Sequence, residues 1–148
     1  MPQLSPEQVS EFLATPVIAR LATVKPDGGP YVVPVWQHWD GEAMYVIPRG
    51  RSRFVEHLRG EPRVAVSCAA DVGSGHRRVL IEGRAEIVEG PVLMTGWMLD
   101  IAREMAERYG GDAGLRYLDS TMHKPRYLLR IVTDKTTTWE GGWHPRYG

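Results

Sequence analysis

Residues 45–66 read YVIPRGRSRFVEHLRGEPRVAV, a strand that runs into a burst of arginines and then into a short helix. Tyr45, Val46 and Ile47 are β-formers that stop at Pro48, and Ser52 is placed to cap one or two helical turns carrying Phe54, Val55 and Leu58. Arg49, Arg51 and Arg53 then crowd the start of that helix. Free backbone N–H groups and the positive end of the helix dipole favour an anion there, and guanidinium groups add bidentate, charge-assisted donors suited to phosphate. Arginine runs are more often solvated faces, so the anion reading draws its weight from what surrounds it. Glu61 and Pro62 stop the helix, and Arg63 to Ala69 reads as the next strand.

Upstream, Leu4 to Ala14 carries a dense helix-start signal. Ser5 is the N-cap, Pro6 the first helical residue and Gln8 the partner in a capping box, and Leu4 can staple against Val9. Val17 to Val24 reads as a strand, residues 25–29 (KPDGG) as a turn, and Pro30 to Gln37 as a second strand. Pro34 has no N–H for a ladder, so that strand is expected at an edge or bulge, where a flat ligand can lie against backbone. Asp40-Gly41 reads as a hairpin turn into a third strand, Ala43 to Ile47. These strands are expected in antiparallel succession.

Downstream, residues 71–76 (DVGSGH) read as a loop and Arg77 to Val88 as a longer strand bent at Gly83, as barrel closure requires. Pro91 reads as the first residue of a long helix reaching about Tyr109, with an apolar stripe from Val92 and Leu93 through Met94, Trp97, Met98, Ile101, Ala102, Met105 and Ala106. Gly110-Gly111 ends it, a short helical piece around Leu115 to Leu118 follows, and a last strand runs from Arg126 to Thr138. Trp139, Trp143 and Tyr147 in the tail carry too much apolar area to leave in water, so they are expected to pack on their own barrel or on a second subunit.

The 148 residues are expected to form one domain, 1–148, with an ordinary globular composition. Formal net charge is +0, which gives no bulk attraction to nucleic acid or to an anionic membrane. The chain shows neither a secretory leader nor an apolar run of roughly 20 residues, so a cytoplasmic, non-membrane protein is the expectation. Cys68, the single cysteine, sits in the apolar run VAVSCAA and reads as a small buried hydrophobe. No histidine pair has metal-ligand spacing, Glu82, Glu86 and Glu89 read as an outward strand face, and there is no GxSxG elbow or P-loop. What is left is a small barrel with an arginine-rich junction and a free edge near Pro34 to Trp36, a site suited to a cofactor that carries the reaction itself.

The segments LAT, DGGP, VPVW, the turn before the helix, HLRGEPRV and EGRAEIV occur in one order over Val17 to Val88. In that order they resemble the pyridoxamine 5'-phosphate oxidase-like, FMN-binding split-barrel superfamily, including its deazaflavin-dependent branch. The resemblance implies a mainly β fold with flanking helices, a six-stranded antiparallel split β-barrel, that forms a homodimer with cofactor sites at the interface. It implies a flavin ring along Pro34, Val35, Trp36, Ile47 and Pro48, a phosphate at Arg49, Arg51, Ser52 and Arg53, and a roof from Trp139 or Trp143 of the second subunit. Many members carry a lysine in the first helical turn, where this chain has Phe54, which leaves Arg51 or Arg53 to substitute.

The leading expectation is an oxidoreductase that uses FMN, or alternatively the deazaflavin coenzyme F-420, on a small conjugated substrate, with no metal. The alternative is a carrier of flavin, deazaflavin or haem on the same barrel, with His38 or His57 as candidate haem ligand. A barrel that acts only through its dimer surface is a third possibility.

Overall fold

The computed structural model describes residues 3–70 and 76–141. Three helices, α1 (Pro6–Leu13), α2 (Phe54–Gly60) and α3 (Gly96–Ser120), flank a single antiparallel sheet. Its strands are β1 (Ala19–Val24), β2 (Pro30–Val35), β3 (His38–Trp39), β4 (Ala43–Val46), β5 (Arg63–Ala69), β6 (Arg78–Val92) and β7 (Arg126–Trp139). The extra strand relative to the expected six is the two-residue β3, and the architecture is that of the split barrel.

The sheet order is β2-β1-β5-β6-β7-β4-β3, which corrects the expected succession of the first strands. The β2 ladder ends at Val35 rather than Gln37, and β2 and β3 are the two opposite edges of the sheet. Trp36 and Gln37 alone carry the chain from one edge to the other, and this crossing is the split. Pro34 lies on an edge strand paired only with β1, where its missing donor costs nothing.

Strand alternation builds two cores. On β4, Met44 and Val46 point into the barrel with Leu129 and Ile131 of β7, while Tyr45, and Ile47 just past the strand, point outward with Leu128. The barrel interior is completed by Leu4, Val9, Phe12 and Leu13 around α1 and by Phe54, Val55 and Leu58 of α2. Burying each such side chain is worth about 1.5–3 kcal/mol relative to exposure. The α1 capping box forms as expected, with Ser5 Oγ accepting from Gln8 N–H at 3.1 Å and Gln8 Oε1 accepting from Ser5 N–H at 2.8 Å.

The outer core is roofed by α3 through Met98, Ala102, Met105 and Ala106, with Met94 just ahead of the helix. Its start corrects the reading of Pro91. Strand β6 continues to Val92, which still pairs with Arg126, and the helix begins only after Thr95. Leu93 is accordingly 54% exposed and Trp97 47% exposed, outside the stripe assigned to them. The break at Gly110-Gly111 is present, with Gly111 at φ 57° and ψ −142°. Past it the chain folds back so closely that a Cβ on Gly114 would lie 2.0 Å from the Ala106 carbonyl oxygen. Gly83 marks a register shift against β7, and a Cβ there would lie 1.9 Å from the Val132 carbonyl oxygen.

Candidate functional site

A cleft of about 770 Å³ opens where the end of β2 and the end of β4 meet the underside of α3. One wall is Val33, Pro34, Val35 and Trp36, a second is Val46, Ile47, Pro48 and Arg49, and the third is α3 from Ala102 and Met105 to Tyr117 and Leu118. Ile18, Ser52, Phe54 and Arg126 complete the lining. It is mostly apolar, with cations gathered at one end, the form expected of a site for a flat conjugated molecule with an anionic group.

The crossing residues are fixed from behind. Trp36 stacks on Tyr109 with rings 5.1 Å apart and 1° from parallel. The Tyr109 hydroxyl donates to the Val17 carbonyl at 2.5 Å and accepts from Gln37 N–H at 3.3 Å. Gln37 is fully buried and donates through Nε2 to the Leu13 carbonyl at 2.8 Å. Arg108 donates to the carbonyls of Thr15, at 2.9 Å, and Gln37, and is held by Glu104 at 2.7 Å. Thus α3 straps the split shut, which gives Trp36 a rigid setting instead of a loop.

At the charged end, Arg49 and Arg126 face one another in an isolated antiparallel bridge. Arg126 is only 9% exposed, and no ion pair of either arginine occurs among the described residues. Arg126 donates to the Ile47 carbonyl at 3.3 Å and the Thr121 hydroxyl at 3.1 Å, while its Nε is buried without a partner. Burial first, and the Arg49 charge second, pull its guanidinium below the usual range. Arg49 donates to the Tyr117 hydroxyl, and that bond holds the phenol below its usual range. The unpartnered Nε adds to the cost of burying this cation, on the order of 1–3 kcal/mol for an orphaned donor.

Of the residues singled out in the sequence, Pro34, Val35, Trp36, Ile47, Pro48, Arg49 and Ser52 all line this one cleft. Arg51 lines an adjoining groove, and Arg53 lines neither. Ser52 is not the cap assigned to it: its N–H closes a turn onto the Arg49 carbonyl, and Arg53 takes the N-cap position with no side-chain bond. That turn brings Ser52 to the cleft. Trp139 ends β7, with the Arg78 guanidinium 5.9 Å from its ring centre. It stands thirteen residues along the strand from Arg126, roughly 40 Å if extended, and does not line the cleft. Trp143 and Tyr147 lie outside the described residues.

The sequence reading missed Arg126 and the α3 wall. Arg126 begins a strand, where an arginine is unremarkable. Its one local signal is that it follows Lys124-Pro125 and precedes the apolar run YLL, a cation entering a buried strand. Neither histidine weighed for haem lines the cleft. His57 shares a 2.9 Å hydrogen bond with the Thr23 hydroxyl, and His38 pairs with Glu104 at 3.2 Å. Cys68 is buried and its thiol is pushed up to about 12 by desolvation, an inert filler. Glu82, Glu86 and Glu89 are exposed. Among the described residues no group of three or more His, Cys, Asp or Glu is placed to hold a metal, and no helix is long and apolar enough to cross a membrane.

The barrel with its cleft between a sheet edge and a strapping helix defines the split-barrel class. The chain belongs to the pyridoxamine 5'-phosphate oxidase family, whose profile matches residues 5–140. Among solved structures it is similar to the conserved hypothetical protein Rv2991 from Mycobacterium tuberculosis, at 30% identity over 93% of this chain and 85% of that one, with a TM-score of 0.74. It shares its fold with an F420 reductase (23% identity, 86% and 94% covered, TM-score 0.65). It also shares it with HutZ, the heme storage protein from Vibrio cholerae (21% identity, 96% and 97% covered, TM-score 0.68). No curated protein matches the chain.

Proposed function

We propose that this chain is a homodimeric oxidoreductase that binds FMN or the deazaflavin coenzyme F-420 in the cleft and acts on a small conjugated substrate. The observation that carries the reading is the buried, unpaired Arg126 beside Arg49 at one end of an otherwise apolar cleft. A molecule with a flat ring system and a phosphate matches both ends at once. When bound, the cofactor would supply the hydride or electron-pair chemistry.

The protein's own part is positional. Pro34, Val35 and Trp36 offer a flat edge held by Tyr109 and Arg108, against which a ring can lie. Ile47 and the Met105 side of α3 keep water from its face. Arg49, Arg126 and Ser52 anchor the phosphate and so fix how far the ring enters. A second subunit is expected to close the open side with its Trp139, an arrangement supported by the distance of that residue from its own cleft.

The test is the visible spectrum and mass of any small molecule released from purified protein on denaturation, followed by separate titrations with FMN and F-420. Uptake of either supports the reading, and uptake of neither overturns it. Reduction of the bound cofactor by a reduced donor and its reoxidation by a conjugated acceptor would distinguish an enzyme from a carrier.

A further inference from the structure

Tyr117 stands on the α3 wall of the cleft, across from the turn that carries Arg49. It reaches that place because Gly111, in a backbone conformation that glycine alone adopts readily, breaks the helix. Past the break Gly114 seats against Ala106, and Leu118, 4% exposed, anchors the segment in the outer core. The Tyr117 ring beside it is 47% exposed. A fixed backbone thus carries a side chain with room to change rotamer.

Arg49 holds that ring in place. Its Nη2 donates to the Tyr117 hydroxyl, and its guanidinium carbon lies 5.5 Å from the ring centre. The bond crosses the cationic end of the cleft from one wall to the other. Arg126 acts on the same oxygen: the Arg49 bond first, and the charges of Arg49 and Arg126 after it, hold the phenol below its usual range. Arg49, Arg126 and Tyr117 are the ionisable side chains among the cleft's described lining, so the phenol is the one group there able to carry negative charge. Its oxygen sits where both cations bear on it, the position a ligand's anionic oxygen would take, and two oxygens cannot share it.

We propose that Tyr117 is a built-in competitor at this site: its phenol and a ligand's anionic group contend for Arg49, and a ligand reaches the charged end of the cleft by displacing the phenol. The exchange favours phosphate, because charge-assisted bonds to an anion are stronger than a bond to a neutral phenol. Displacement lowers the affinity of every ligand that uses Arg49 and leaves untouched any that lies only along the apolar walls. The inference rests on the reading that the cleft anchors a phosphate, and adds that the anchor has a partner of its own that leaves first.

The experiment compares wild type with Tyr117→Phe, which keeps the ring and removes its oxygen, and a circular dichroism melt checks the fold. The probes, in calorimetric titration, are inorganic phosphate, FMN, F-420 and riboflavin, which has the rings of FMN without the phosphate. Phosphate and FMN should bind the variant about three- to tenfold more tightly, the net worth of one intramolecular hydrogen bond, with riboflavin within about twofold. In an alkaline titration followed by tyrosinate absorbance, saturating phosphate should move one phenol of wild type upward. The chain has six tyrosines, and the absence of that shift in Tyr117→Phe assigns it. Weaker or unchanged phosphate binding by the variant, a gain for riboflavin equal to that for FMN, or a phenol titration indifferent to phosphate overturns the competitor. So does a failure of both proteins to bind phosphate. If FMN and F-420 bind neither protein while the phosphate gain and the phenol shift are present, the competitor stands and the cofactor reading falls.

Discussion

Arg49 and Arg126 hold two guanidinium groups together across one antiparallel bridge without a carboxylate between them. Like charges so placed disfavour each other, and burial raises the cost for Arg126. A site of this kind carries strain in the free protein that an anion relieves.

The first prediction follows from that strain. Arg126→Met keeps the apolar stem and removes the charge and its orphaned N–H. The free protein should be at least as stable as wild type in urea unfolding. Affinity for a phosphate-bearing cofactor should fall by about 1.5–3 kcal/mol, the usual worth of a charge-assisted bond. A variant that binds as tightly as wild type would place the phosphate elsewhere.

Trp139 tests the assembly. Among the described residues its ring faces the Arg78 guanidinium, its backbone pairs with β6, and it does not line the cleft. Trp139→Ala should leave the melting temperature within a few degrees and yet lower the fraction of cofactor that survives gel filtration, if the partner's cleft is roofed by this ring. Undiminished retention would restrict Trp139 to its strand-end contact.

Gly83→Ala should be among the most damaging single-methyl additions in the chain. The added carbon meets the backbone of β7 at Val132, which cannot move without opening the sheet. A loss on the order of 3 kcal/mol in denaturant unfolding is expected.

Acid stability should depend on Glu104. Burial alone would raise its pKa, but hydrogen bonds from Arg108 and His38 outweigh that and leave it below the ordinary carboxylate value of 4.5. A carboxylate lowered in the folded state contributes stability that is present above 4.5 and lost as pH falls through its folded pKa. Glu104→Gln should therefore flatten the pH dependence of unfolding below about pH 4.5, with the larger destabilisation at neutral pH. Hydrogen exchange at Gln37 and His38 should quicken in the same variant, since Glu104 holds the Arg108 that clamps the Gln37 carbonyl.

The strands were legible because their signals are local. Alternation, the Gly28 and Gly41 turns and the Glu61-Pro62 stop place β1, β4 and β5 within two residues, and Gly83 announces its own bulge. Pairing was not legible. Nothing near Trp36 states that Trp36 and Gln37 join the two edge strands, since those edges come together only once β7 fits between β6 and β4. Pro91 misled for a related reason: proline suits the first turn of a helix, yet the pull of the β6–β7 ladder carries the strand past it to Val92. The site was half visible. The edge and the arginine turn lie together in sequence, whereas Arg126 and the α3 wall reach the cleft only through tertiary packing.

That packing also sets when the site can exist. The hairpin of β3 and β4 has no place in the sheet until β7 offers its edge, and β7 follows every other described strand in the chain. During vectorial synthesis Arg49 waits, solvated, for a residue made much later, and the loop closed between them is among the longest in the fold. A nascent chain should thus be blind to its ligand until β7 has emerged. Ligand added during translation should then act on the final docking of β4 against β7 and on none of the earlier folding steps.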